Sequence, residues 1–237
     1  MLAQRRWLVG SGALVLLLVG LAFWFIVLRG DAPPPVSLEG ALESVSTPVA
    51  TAEDSPTASA ETTPADDADS LAGPWTVSTQ GESFVGYRVR QVVSGVDAPT
   101  RVGRTPAVTA AVDFDTNALV ALVLEADLTL LMSGDERRDT VFADILETDI
   151  YATATFVLTL SVPILEVIDA ETVAVEVDAR LTLHGVTRDV TLTLEGETTE
   201  GLVVLVGSAE ILFRDFGVDR PIAFAVLSIE DRAELEL

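Results

Sequence analysis

The chain has 237 residues, with 37 acidic and 14 basic side chains, a formal net charge of −23, no Cys and one His. All 14 basic residues are Arg. The absence of Cys excludes disulfides, thiolate nucleophiles and zinc–cysteine sites; the absence of Lys excludes Walker-type phosphate loops and Schiff-base chemistry. So large a negative charge argues against nucleic acid as a partner and against adsorption to anionic lipid surfaces.

In chain order, the first element is residues 8–28, LVGSGALVLLLVGLAFWFIVL, an uncharged and mostly apolar run. As a helix it measures roughly 31 Å, matching a hydrocarbon core of about 30 Å. Arg5 and Arg6 precede it and Arg29 follows. Its length exceeds the roughly 7–15 apolar residues of a cleaved signal peptide, and the Arg29-Gly-Asp-Ala-Pro-Pro-Pro sequence behind it is a poor cleavage site. Residues 1–30 therefore read as a retained signal anchor, a single-pass membrane helix. The positive-inside tendency places its N-terminus in the cytoplasm and the rest outside the cell membrane, in a periplasm or its equivalent.

Residues 31–72 are rich in Pro, Ala, Ser and Thr, and hold nine acids, no base and no aromatic. Such a composition predicts a disordered tether, spanning roughly 32–39 Å if fully flexible.

Residues 73–237 form the folded domain, with 28 acids against 11 Arg. Residues 172–183, TVAVEVDARLTL, alternate apolar and polar, as do residues 189–195. A period of two over this length predicts half-buried strands, and the intervening HGVT turn makes them an antiparallel hairpin. Further strands are expected at 83–93, 106–114, 118–131, 154–162, 202–213 and 232–237, with a short helical turn at 139–149. About eight antiparallel strands, one of them 14 residues long, favour an all-β, elongated up-and-down barrel over a sandwich.

Four stretches carry a family resemblance. Residues 181–192, LTLHGVTRDVTL, resemble the hairpin motif of the YceI-like family. Residues 73–78 with 83–89, residues 113–115 with 135–139 and 146–156, and residues 213–218 (FRDFGV) resemble its opening, middle and closing segments in order. Together they span essentially 73–237. The resemblance implies an extended, lipocalin-like barrel whose apolar tunnel binds a polyisoprenoid or similar fatty lipid; no cofactor and no metal is assigned. Two departures stand out. Where many members carry histidines, this chain reads Arg88-Val-Arg90-Gln91 and Arg138-Asp139-Thr140-Val141, so no role that depends on those histidines carries over.

On that reading the expected tunnel lining is Phe84, Tyr87, Phe114, Leu122, Leu124, Phe156, Leu158, Val175, Val177, Phe213 and Phe216. Arg137 and Arg138 could clamp a charged head group at the barrel mouth by charge-assisted hydrogen bonds. His184, at a hairpin turn, reads as structural, and no catalytic residue is assigned. Acid clusters such as Asp135-Glu136 lack calcium-loop spacing. Two other readings compete with a lipid binder: an envelope interaction domain with a solid barrel, and an enzyme using Arg137, Asp139 and His184 on such a lipid. A homodimer is left open.

Overall fold

The structure, a computed structural model, describes residues 32–46, 71–78, 82–92, 99–116, 118–163, 174–199, 201–218 and 228–237. The apolar run 8–28 lies outside these residues; among the described residues no helix is long and apolar enough to cross a membrane.

The domain is one antiparallel sheet. Its strands are β1 (Gly73–Thr76), β2 (Val85–Val92), β3 (Thr100–Thr105), β4 (Val108–Phe114), β5 (Ala118–Asp127), β6 (Thr153–Leu158), β7 (Val162–Pro163), β8 (Val175–Leu183), β9 (Val186–Thr199), β10 (Leu202–Leu212) and β11 (Ser228–Glu236). Ten run in the order β1-β4-β5-β6-β8-β9-β10-β11-β2-β3, and β7 pairs with β5. The sheet curls into a half-barrel, the lipocalin-like shape expected, with more strands than the eight counted from sequence and without full closure. The two edges, β1 and β3, are not paired with each other. Instead β3 is tied to the connection after β5 through reciprocal backbone bonds between Arg104 and Met132, at 2.8 and 2.9 Å.

Alternation decides which side faces in. On β8, Val177, Ala179, Leu181 and Leu183 are buried, while Glu176, Asp178 and Arg180 are exposed. On β9, Leu192 and Leu194 continue the inner face. A slip of one residue would turn all of these outward, so the pairing Val177↔Leu192 is strongly specified. The hairpin is tighter than the HGVT turn suggests: Leu183 pairs with Val186, leaving a two-residue loop. His184 (φ 51°) and Gly185 (φ 71°) both adopt left-handed conformations, as a type I′ turn requires.

Three expectations need correction. The strand read at 118–131 stops at Asp127, whose carboxylate accepts from the Thr129 backbone N–H at 2.9 Å and winds Leu128–Leu130 into a 3₁₀ turn. The helical turn read at 139–149 is helix Glu136–Ile145. Asp135 caps it, accepting from the Arg137 and Arg138 backbone N–H groups, and Glu136 and Asp139 lie in its first turn. Lastly, the stretch read as a disordered tether contains a helix. Numbering the helices in chain order, α1 is Leu38–Ser46 and α2 is Glu136–Ile145. The Ser37 hydroxyl accepts from the Gly40 backbone N–H at 3.3 Å at the start of α1, Leu38 is buried, and the helix packs on β9 and β10. Leu38, Leu42 and Val45 recur at helical spacing, a local signal that the average composition of residues 31–72 conceals.

Candidate functional site

Two voids lie inside the curl of the sheet. The inner cavity has a volume of ≈ 80 Å³ and sits at the α2 end. Its wall is almost wholly apolar: Leu128, Phe142 and Leu146 close one side, Leu181, Leu183 and Ile211 another, and the small residues Ala126, Ala154 and Ala209 leave the space. The outer pocket has a volume of ≈ 420 Å³. Trp75 of β1, Val108, Ala110 and Val112 of β4, and residues 202–206 of β10 line it, and α1 with the Pro33–Pro35 run forms its remaining wall. Leu124 and Leu237 belong to both linings, so the voids abut.

The eleven expected lining residues divide. Tyr87, Phe156 and Phe213 line the inner cavity; Phe84, Phe114 and Leu122 line the outer pocket; Leu124 lines both. Leu158, Val177 and Phe216 are buried in the packed core, and the half-buried Val175 packs against it; these four line neither void. Tyr87 is held by two neighbours from distant parts of the sequence. Its ring stacks on Phe142 and lies across β3 at Gly103, where a Cβ would stand 2.5 Å from Tyr87 Cε1. Burial is the main cause that pushes the Tyr87 hydroxyl far above the ordinary tyrosine range; Asp139 adds to the rise and Arg138 opposes it.

Arg137 and Arg138 do not line either void. Arg137 is exposed on α2. Arg138 is half-buried, donating to the Ser133 carbonyl at 3.4 Å and pairing with Asp135 at 3.5 Å. Asp139 accepts from the Ser133 backbone N–H at 2.9 Å and from its hydroxyl, which closes the loop before α2. His184 is held on both ring nitrogens: Nε2 is 2.8 Å from Glu147 Oε2 and Nδ1 is 3.2 Å from the Phe216 carbonyl oxygen. Its ring also meets Tyr151 edge-on, with centroids 4.8 Å apart. These contacts join the β8–β9 hairpin to the turn after α2 and to the Phe213–Phe216 segment.

A charged cluster that the sequence reading missed stands beside the outer pocket. Glu236, 1 % exposed, accepts from Arg88 Nε at 2.8 Å and from Arg104 Nη2 at 3.2 Å. The three residues come together because Gly86 pairs with both Glu236 and Arg104, so β11, β2 and β3 place them on one face. Arg88 also donates to the Pro33 carbonyl at 2.9 Å, and the Val36 backbone N–H reaches Glu236 at 3.4 Å. The strap leading into α1 is thereby fastened over the cluster. Arg104 lies over the Phe84 ring, 4.1 Å from its centroid, and both side chains line the outer pocket. Arg104 Nε is buried and has no hydrogen-bond partner among the described residues. Such an orphaned donor ordinarily costs about 1–3 kcal/mol.

The YceI-like domain family model matches residues 75–237. Among solved structures, BcnA of Burkholderia cenocepacia is 19 % identical with a TM-score of 0.51, the match covering 65 % of this chain and 92 % of that one. A polyisoprenoid binding domain from Saccharophagus degradans, implicated in plant cell wall breakdown, is 17 % identical over 65 % of this chain and 89 % of its own, with a TM-score of 0.48. The YceI protein of Campylobacter jejuni is 17 % identical over 57 % and 80 %, with a TM-score of 0.42. No curated protein matches the chain.

Proposed function

The chain belongs to the YceI-like domain family, and from that premise we propose that it binds a long-chain amphiphile, a polyisoprenoid or similar lipid, with the hydrocarbon inside the half-barrel. The domain acts as a binder, sequestering or carrying the lipid, and not as an enzyme. It works on the extracytoplasmic side of the membrane to which residues 1–30 anchor it.

One observation carries this reading: the inner cavity and the outer pocket lie side by side within the half-barrel, with Leu124 and Leu237 as their shared wall, so apolar side chains line unfilled space there. The outer volume of ≈ 420 Å³ falls within the range of about 300–1,000 Å³ usual for small-molecule sites. Each CH₂ moved from water into such a space contributes about 0.8 kcal/mol, so a tail of modest length outweighs its own ordering without any catalytic group. A barrel packed solid by its own side chains would offer no such space.

Native mass spectrometry of the full chain, gently purified in mild detergent, with organic extraction of what accompanies it, tests the proposal. A stoichiometric lipid is expected. An apo mass together with no uptake of fluorescent fatty or prenyl probes would overturn it.

A further inference from the structure

We infer that Arg104 reads the ligand's head group, and that the ligand is a single-chain amphiphile ending in an oxyanion, a carboxylate or a phosphate. The inference rests on the binding function proposed above and specifies its polar end.

The outer pocket and the inner cavity together offer one cationic side chain among the described residues that line them, and it is Arg104. Three features prepare its guanidinium for an oxygen ligand. Stacking on Phe84 and pairing with Glu236 hold the plane in place, so little freedom is left to lose on binding. The guanidinium spends Nη2 on Glu236 and its buried Nε has no partner among the described residues, so its donors are not all satisfied within the fold. And Arg104 shares its carboxylate: Arg88 and Arg104 both pair with Glu236, so Arg104 does not have that anion to itself.

The chain's net charge of −23 works against any anion at long range. Salt screens exposed charges beyond about 8 Å at physiological ionic strength, whereas a contact with a partly buried guanidinium is screened far less. Glu82, the other charged residue on the pocket wall, is exposed to solvent. The tail direction follows from the geometry: Arg104 stands on the outer pocket, and the inner cavity lies beyond the Leu124 and Leu237 walls that the two voids share. Head at Arg104 and tail toward α2 is therefore the one polarity in which the charge stays at the polar wall.

The test compares cis-parinaric acid with its methyl ester, by fluorescence, on the full chain. The acid should bind roughly tenfold more tightly than the ester, the scale of one charge-assisted hydrogen bond. Arg104→Gln should erase that preference, bringing the acid down to the affinity of the ester; a cooperative urea transition reports that the variant is folded. If Arg104→Gln does not fold, Arg104→Lys keeps a charge for Glu236 but lacks the planar fork that can serve Glu236 and an oxyanion together, and it should lose most of the preference. Inorganic phosphate at millimolar concentration should not displace the acid. Equal binding of acid and ester by the natural chain overturns the inference, as does a preference that survives in Arg104→Gln and disappears in Arg137→Gln. Displacement by inorganic phosphate overturns the amphiphile in favour of a free-anion site. Failure of both probes to bind overturns the binding function itself.

Discussion

Tyr87 and Phe142 lie face to face, their ring centroids 4.4 Å apart and their planes 16° from parallel. The stack joins β2 to α2 across the end of the inner cavity, whose wall both rings form. Phe142→Ala removes that wall. Loss of about 3–5 kcal/mol of stability is expected, the range for deleting a buried phenyl ring, read as a lowered urea midpoint. The same variant should take up longer tails than the natural chain, because the space it opens adjoins the cavity.

Tyr87 makes stability depend on alkaline pH. Burial raises its folded-state pKa above the ordinary value of about 10. The group therefore contributes its full stability below pH 10 and loses it as the pH climbs from there toward the folded value, where the unfolded chain ionises and the folded chain resists. Comparing Tyr87→Phe with the natural chain by denaturant titration should show a constant difference below pH 9. Above pH 10 the natural chain should lose stability faster than the variant.

Glu236→Gln leaves Arg88 and Arg104 facing each other without their shared carboxylate. Breaking a buried ion pair by removing one partner costs about 3–5 kcal/mol. Arg88 also holds the Pro33 carbonyl, so residues 32–46 should loosen from the sheet. Hydrogen exchange across α1 should accelerate before the global unfolding transition is reached, and an unchanged exchange pattern there would contradict the proposed fastening.

Ala209→Phe places a ring in the inner cavity, where Ala209 is 4 % exposed. In an n-alkyl carboxylate series, each methylene that enters the natural cavity should improve affinity about fourfold. The variant should reach its plateau at a shorter chain. Identical length dependence in the two proteins would mean that tails do not enter this space.

Gly185→Ala strains the hairpin twice. The position has φ 71°, which costs an L-residue roughly 1–2 kcal/mol, and the new Cβ would lie 2.5 Å from Tyr151 Cε1. Thermal unfolding should show a loss of about 2 kcal/mol or more, accompanied by disturbance of the His184–Tyr151 contact visible in the His184 ring proton shifts.

The β8–β9 hairpin was legible because its information is local: a period of two and a short turn specify both strands and their inner face. β3 was not, because Arg101, Gly103 and Arg104 interrupt the apolar alternation by which strands are recognised. Gly103 is there to admit the Tyr87 ring, a requirement set by another strand. The Arg104–Glu236 contact was hidden for a related reason. Two residues 132 positions apart meet only through the register of β11, β2 and β3, which no local pattern encodes. The doubled Arg137-Arg138 drew attention instead because it is conspicuous in one dimension. The wall supplied by α1 was obscured by averaging: nine residues of amphipathic helix sit in a stretch whose overall composition is that of a tether.

Because the Pro33–Pro35 run forms part of the pocket wall, the geometry of entry is set by covalent reach. Leu28, the last residue of the apolar run, is five residues from Pro33, and five residues extend at most about 18 Å. If residues 1–30 anchor the chain as proposed, a lipid leaving that membrane would not have to cross open water on a long swinging arm. On that proposal the doorway and the mooring would share one short piece of chain, and loading would be a sideways transfer at the interface.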